Sequence, residues 1–83
     1  MKYQVRWIPE AEEELVKIWL DAVDRKAITT AADQIDRWLA SAPNTYGESR
    51  DRGRRIVFSV PLAVLYRTLA ERGEVEVLAV WQY

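Results

Sequence analysis

The sequence predicts an α+β domain: an N-terminal strand, a two-helix hairpin, and then three antiparallel strands, with the helices packed on one face of the sheet. Three observations carry this expectation. Residues 2–8 alternate apolar and polar side chains, residues 9–42 hold two apolar stripes at helical spacing, and three extended runs follow from residue 54 across short turns. With 83 residues, the chain suffices for one domain, 1–83, because a chain this short buries only about 60–65% of its unfolded surface and sustains a single core.

In KYQVRWI, Tyr3, Val5 and Trp7 share one face of a strand and Lys2, Gln4 and Arg6 the other. Pro9 suits the first turn of a helix, where its missing N–H costs nothing, and Glu10, Glu12, Glu13 and Glu14 set negative charge at the positive end of the helix dipole. That dipole accounts for the four glutamates more simply than a metal site does. Ala11, Leu15, Ile18, Trp19, Ala22 and Val23 complete an amphipathic helix over 9–23. Asp24 then caps a second helix over 25–42, whose stripe is Ile28, Ala31, Ala32, Ile35, Trp38, Leu39 and Ala42, and Pro43 ends it. Trp7, Trp19 and Trp38 are expected in the core.

PNTYGESRDRG, 43–53, collects turn formers and charges and predicts a loop. RRIVFSV (54–60) and LAVLYRTLA (62–70) are strands divided by Pro61, which cannot donate to a ladder. ERGE (71–74) is a turn with Gly73 free to take positive φ, and VEVLAVWQY (75–83) is the last strand, with Trp81 on the face of Val75, Val77 and Ala79. A four-stranded, largely antiparallel sheet results. Its second face is left open and is expected to carry Leu65 or Leu78 beside Arg67.

Composition removes whole classes of chemistry. Without cysteine or histidine there is no disulfide framework, no thiol nucleophile and no imidazole acid or base. No apolar run approaches the roughly 20 residues of a membrane span, and MKYQVRWIPE lacks the apolar core of a signal peptide. The expectation is a cytoplasmic protein with no membrane partner, metal or cofactor. The net charge of −1 hides a segregation: residues 1–48 hold six Lys/Arg against nine Asp/Glu, and residues 49–83 six arginines against four acids. Arg50, Arg52, Arg54 and Arg55 form the densest cluster. They either meet something anionic, in which case they should face the same side as Arg67, or they are a solvated loop.

The order of elements, with IPEAEEELVKIWL after the first strand, ASAPNTYGESR after the second helix, and VLYR followed by VEVLAVW, resembles the RelE/ParE superfamily of bacterial toxins from type II toxin–antitoxin systems. The resemblance covers nearly the whole chain. It implies a toxin held inactive by a cognate antitoxin whose disordered or helical segment wraps it. It also implies one of two actions: RelE-type members are ribosome-dependent mRNA endonucleases that hold RNA phosphates on a concave sheet lined with Arg and Lys, and ParE-type members inhibit DNA gyrase. Fold alone does not choose between them.

By the resemblance, Arg54 or Arg55 falls where the family has a basic residue entering the second strand, and Tyr66 and Arg67 match its Tyr-Arg pair. The arginine that the nucleases place three residues before that tyrosine falls on Ala63, and the last-strand His or Arg region reads Trp81-Gln82-Tyr83. The candidate catalytic residues are Tyr66, Arg67 and Tyr83, and the candidate nucleic-acid-binding residues are Arg50, Arg52, Arg54 and Arg55. The implied partners are an antitoxin, ribosome-bound mRNA or DNA gyrase, and a further copy of the chain through the open sheet face.

The residues themselves limit the nuclease reading. Metal-free RNA cleavage needs a proton acceptor for the 2′-hydroxyl, a donor for the leaving oxygen, and cations on the phosphate. Arginines supply the cations only. The base would be Tyr66, Tyr83, Glu48 or a lysine, yet Lys2, Lys17 and Lys26 all lie in the acidic half. A tyrosine of pKa about 10 would need strong lowering to serve. The alternative is a toxin-fold interaction module without catalysis.

Overall fold

The computed structural model describes residues 2–83, the side chains of Tyr46 and Asp51 excepted. β1 (Gln4–Trp7) half-buries Val5 and Trp7 and exposes Gln4 and Arg6. α1 (Pro9–Asp21) opens on its proline and ends two residues short of the expected 23. The shortfall has a local cause, since Asp24 must leave helical geometry to accept the Ala27 N–H (3.1 Å) as the cap of α2 (Arg25–Ser41). Arg25 fastens the hairpin: its guanidinium donates to the carbonyls of Trp19 (3.2 Å) and Leu20 (3.1 Å) at the negative end of α1, and lies 4.7 Å over the Trp19 ring.

The expected loop over 43–53 is largely regular structure. Pro43 starts a one-turn helix, α3 (Pro43–Tyr46), and Glu48–Ser49 is a short strand, β2, paired with the strand that follows. A 3₁₀ turn, Asp51–Gly53, joins them, closed by the Arg50 N–H to Arg54 carbonyl bond (2.6 Å). Arg52 and Gly53 both take positive φ there (64° and 72°). Turn formers mark this segment as irregular in sequence, but a two-residue strand has no period to detect.

β3 (Arg54–Ser59) and β4 (Leu62–Leu69) form a hairpin whose turn contains a cis Val60–Pro61 bond. A 3₁₀ turn with Gly73 at φ 63° leads to β5 (Glu74–Gln82). The sheet has five strands rather than four, in the order β1-β5-β4-β3-β2, and only the β1·β5 pair is parallel. The chain's first strand therefore lies beside its last.

Both helices cover one face of the sheet. Ala11 and Ile18 of α1 and Ile28, Ala31, Ile35 and Leu39 of α2 bury against Val57, Leu62, Val64, Val75, Val77 and Val80. Each buried Val, Leu or Ile contributes roughly 1.5–3 kcal/mol, so this stripe-on-sheet packing is the main source of stability. Trp7 and Trp38 pack at its margin as expected, but Trp19 is 38% exposed, because its ring lies outside the seam under Arg25. Trp81 also departs from expectation. A bulge shifts the β4·β5 register between Tyr66↔Val77 and Leu65↔Ala79, so Val75 and Val77 face the helices while Ala79 and Trp81 face away. Leu78, expected on the open face, is the unpaired residue of that bulge.

Candidate functional site: the open face of the sheet

Strand pairing sets four charged residues in a row across the uncovered face. Arg54 on β3 lies opposite Arg67 on β4, Arg67 opposite Glu76 on β5, and Glu76 opposite Arg6 on β1. Glu76 is only 7% exposed and takes both neighbours: Arg67 donates to its Oε1 through Nε (2.8 Å) and forms an ion pair with it through Nη2 (2.7 Å), and Arg6 donates through Nη2 to Oε2. The hydrogen bond from Arg67, with the charges of Arg67 and Arg6, holds the Glu76 carboxyl below the usual carboxylate range against the opposing effect of burial. Arg54 and Arg67 are like charges on directly opposed positions, an unfavourable arrangement by itself. Glu76 answers Arg67. Among the described residues no carboxylate pairs with Arg54. Beside it, Ser49, Arg50, Arg54 and Leu65 line a shallow pocket of about 490 Å³.

The other end of the same face is aromatic. Phe58 lies opposite Ala63, and Ala63 opposite Trp81, with Phe58 41%, Trp81 38% and Tyr83 58% exposed. Tyr83 meets Phe58 edge to face, with ring centroids 5.2 Å apart. Ala63 is fully buried between its two neighbours, so a longer side chain at that position would divide the cluster. Ile56 and Leu65 connect the two ends. Arg54 and Phe58 are four residues apart on β3, about 13 Å at the rise of a strand.

The candidate residues thus fall into three places. Arg54 and Arg67, with Arg50 at the adjoining pocket, share the open face, and Tyr83 lies at its far end. Arg52 sits exposed at the tip of the β2–β3 turn. Arg55 and Tyr66, paired across β3 and β4, point the opposite way. Arg55 donates to Ser49 Oγ (3.0 Å) and to the carbonyls of Asn44 (3.0 Å) and Gly47, drawing the 43–49 segment against the sheet. Tyr66 is fully buried, and its hydroxyl donates to the Pro43 carbonyl. Burial pushes the Tyr66 hydroxyl above its ordinary value, although hydrogen bonding and charge from Arg55 oppose the shift. Gly47 passes directly over that hydroxyl, where any Cβ would overlap it.

Arg6 and Glu76 were not foreseen. Alternation places both on the polar sides of their strands, but only the parallel β1·β5 pairing brings them together, and parallel pairing leaves no mark in either strand alone. Among the described residues no three metal-ligating side chains converge, and no helix is long and apolar enough to cross a membrane.

No protein-family model matches the sequence, and no curated protein is similar enough to count as a match. Solved structures do match. The chain is similar to the toxin–antitoxin complex RelBE2 from Mycobacterium tuberculosis, with TM-score 0.83 and 21% identity over 100% of this chain and 93% of that one. It is similar to a chromosomal ParDE toxin–antitoxin system from P. aeruginosa, with TM-score 0.77 and 18% identity over 98% and 96%. It is also similar to a mutant E. coli RelE toxin in the free state, with TM-score 0.74 and 13% identity over 99% and 84%. Element order, five-stranded topology and likeness over nearly the whole length of three such structures agree: this chain has the RelE/ParE toxin fold.

Proposed function

We propose that the protein is the toxin of a toxin–antitoxin pair, that it acts in the cytoplasm through the open face of its sheet, and that it holds its target rather than cutting it. The fold supports the first part, since its solved neighbours come from toxin–antitoxin systems. The division of the open face supports the rest: Arg54, Arg67 and Arg6 gather at one end, and Phe58, Trp81 and Tyr83 at the other. Guanidinium groups bind phosphates, and exposed aromatics stack on bases, so the face suits single-stranded RNA with its backbone toward Arg54 and its bases toward Phe58.

The chemistry for strand cleavage is poorly served by the same geometry. Tyr66 lies under the sheet, and Glu76 is a carboxylate held ionised between two arginines, which makes it a weak base. Tyr83 stands at the aromatic end, about 13 Å along β3 from the cations. A gyrase-directed action is the second reading. It is favoured by the apolar half of the face, since exposed aromatics bury equally well against a protein. The same half would carry self-association of the free toxin.

The test is induced expression in bacterial cells, scored for growth, with mapping of RNA ends and an assay of gyrase supercoiling. Growth should stop, and co-expression of the adjoining reading frame as antitoxin should restore it. The pair Arg54→Ala and Phe58→Ala should relieve the arrest while the purified protein keeps its circular dichroism spectrum. Ribosome-dependent cleavage at defined codons, lost in Tyr83→Phe, would instead establish a nuclease. Unimpaired growth at high expression would leave a toxin-fold interaction module.

A further inference from the structure

A second cleft is away from the open face. It measures about 600 Å³, lies between α1 and α2, and has β1 at its base. Val5, Leu15, Trp19 and Ile28 supply apolar walls, and carboxylates stand around them: Glu12 from α1, and Asp33 and Asp36 from α2. Trp7 Nε1 donates to Asp36 Oδ1 (2.9 Å), which fixes that carboxylate at the base of the cleft. Burial, with the neighbouring charge of Asp33, raises the Asp36 carboxyl above its ordinary value despite that bond, as expected where negative charge lacks a cation. The one cation on the lining, Arg6, is already committed to Glu76.

β1 borders this cleft as an edge strand. Among the described residues it pairs only with β5. The N–H groups of Gln4 and Ile8 point inward to Gly73 (2.9 Å) and Val77 (3.1 Å). By the alternation of a strand, the N–H and C=O groups of Val5 and Trp7 point outward, where no strand meets them. A row of backbone donors and acceptors therefore runs beside an apolar cleft with an acidic rim.

We propose that this edge receives an extended segment of a partner chain, in which apolar residues alternate with lysine or arginine. The segment adds as a strand to β1, bonds to the outward groups of Val5 and Trp7, sets apolar side chains into the cleft, and brings basic ones to Asp36, Asp33 and Glu12. Main-chain bonds supply the affinity in such an addition, and the pockets beside the edge select the side chains. Charge complementarity chooses a basic segment over an acidic one: the rim offers three carboxylates, and its single guanidinium is held elsewhere. This inference does not depend on toxicity, because the surface is on the opposite side of β1 from its sheet neighbour and uses only Arg6 in common with the open face.

Amide hydrogen exchange, followed by NMR, tests it. The probe is a synthetic six-residue peptide alternating lysine with valine, capped at both ends. At saturation, exchange of the Val5 and Trp7 amides should slow at least about tenfold, while that of Gln4, already bonded, stays unchanged. A peptide with glutamate for each lysine should bind at least about tenfold more weakly. The Asp33→Asn/Asp36→Asn variant, whose amides keep the shape and leave an oxygen for Trp7, should lose about the same factor toward the lysine peptide. Unchanged Val5 and Trp7 exchange at millimolar peptide would overturn the proposal, and so would equal binding of the glutamate peptide. A chain that fails to arrest growth yet shows this protection would defeat the toxin reading and leave the edge site standing.

Discussion

Tyr66 and Arg67 are adjacent in sequence and belong to opposite faces of β4, so their chemistry is separate. The Tyr66 hydroxyl is spent on the Pro43 carbonyl beneath Gly47. Tyr66→Phe should therefore cost about 1 kcal/mol in a urea titration, from the carbonyl left without its donor, and should not change growth arrest. Gly47→Ala should cost more, roughly 1–3 kcal/mol, because the added methyl group meets a fully buried ring. The two shifted carboxyl groups predict opposite pH behaviour. Glu76 titrates below its ordinary range in the folded protein, so its contribution is complete above that range and disappears as pH falls through the lower folded value. Glu76→Gln should flatten the acid limb of the stability curve. Asp36 titrates above its ordinary range, so folding is favoured while it is protonated, and that benefit is lost as pH rises through the folded value. Asp36→Asn should leave the protein as stable or more so at pH 7, measured by thermal melting, since the amide oxygen still accepts from Trp7.

Among the elements, the helices and the three long strands were legible because each carries a period, 3.6 or 2, over many residues. The helix ends at Pro9, Asp24 and Pro43 could be read for a related reason, since caps and prolines act locally. β2, with two residues, offers no period. The phase of β5 was misread for a different cause: one extra residue, Leu78, reverses the face of everything after it, and alternation counted along the sequence cannot see an inserted step. The site shares these limits. Arg54 and Arg67 could be placed on one face from β3·β4 alternation, whereas Arg55's inward clamp depends on β2 and the Arg6–Glu76 pair on parallel pairing. Deleting Leu78 should remove the bulge and leave Val80 toward the helices and Trp81 on the open face, because Val77 and Ala79, which face opposite ways across Tyr66 and Leu65, then become consecutive residues. The predicted result is a retained cooperative melting transition rather than its loss, because the core valine and the exposed tryptophan keep their sides.

For the molecule as a whole, the decisive geometry is that β5 lies between β1 and β4. Arg6 meets Glu76 across a separation of 70 residues, and the whole charged row on the open face depends on that meeting. During synthesis, β1 and the helix hairpin leave the ribosome without the strand that unites them with β4. Until Glu74–Gln82 is clear of the exit tunnel, the nascent chain has an incomplete core and no assembled open face. Chains stalled on the ribosome before residue 74 should be digested by a protease at the rate of an unfolded segment, and chains extended by a linker long enough to free β5 should resist. The open face is thus assembled only after the last strand of the sheet has been delivered.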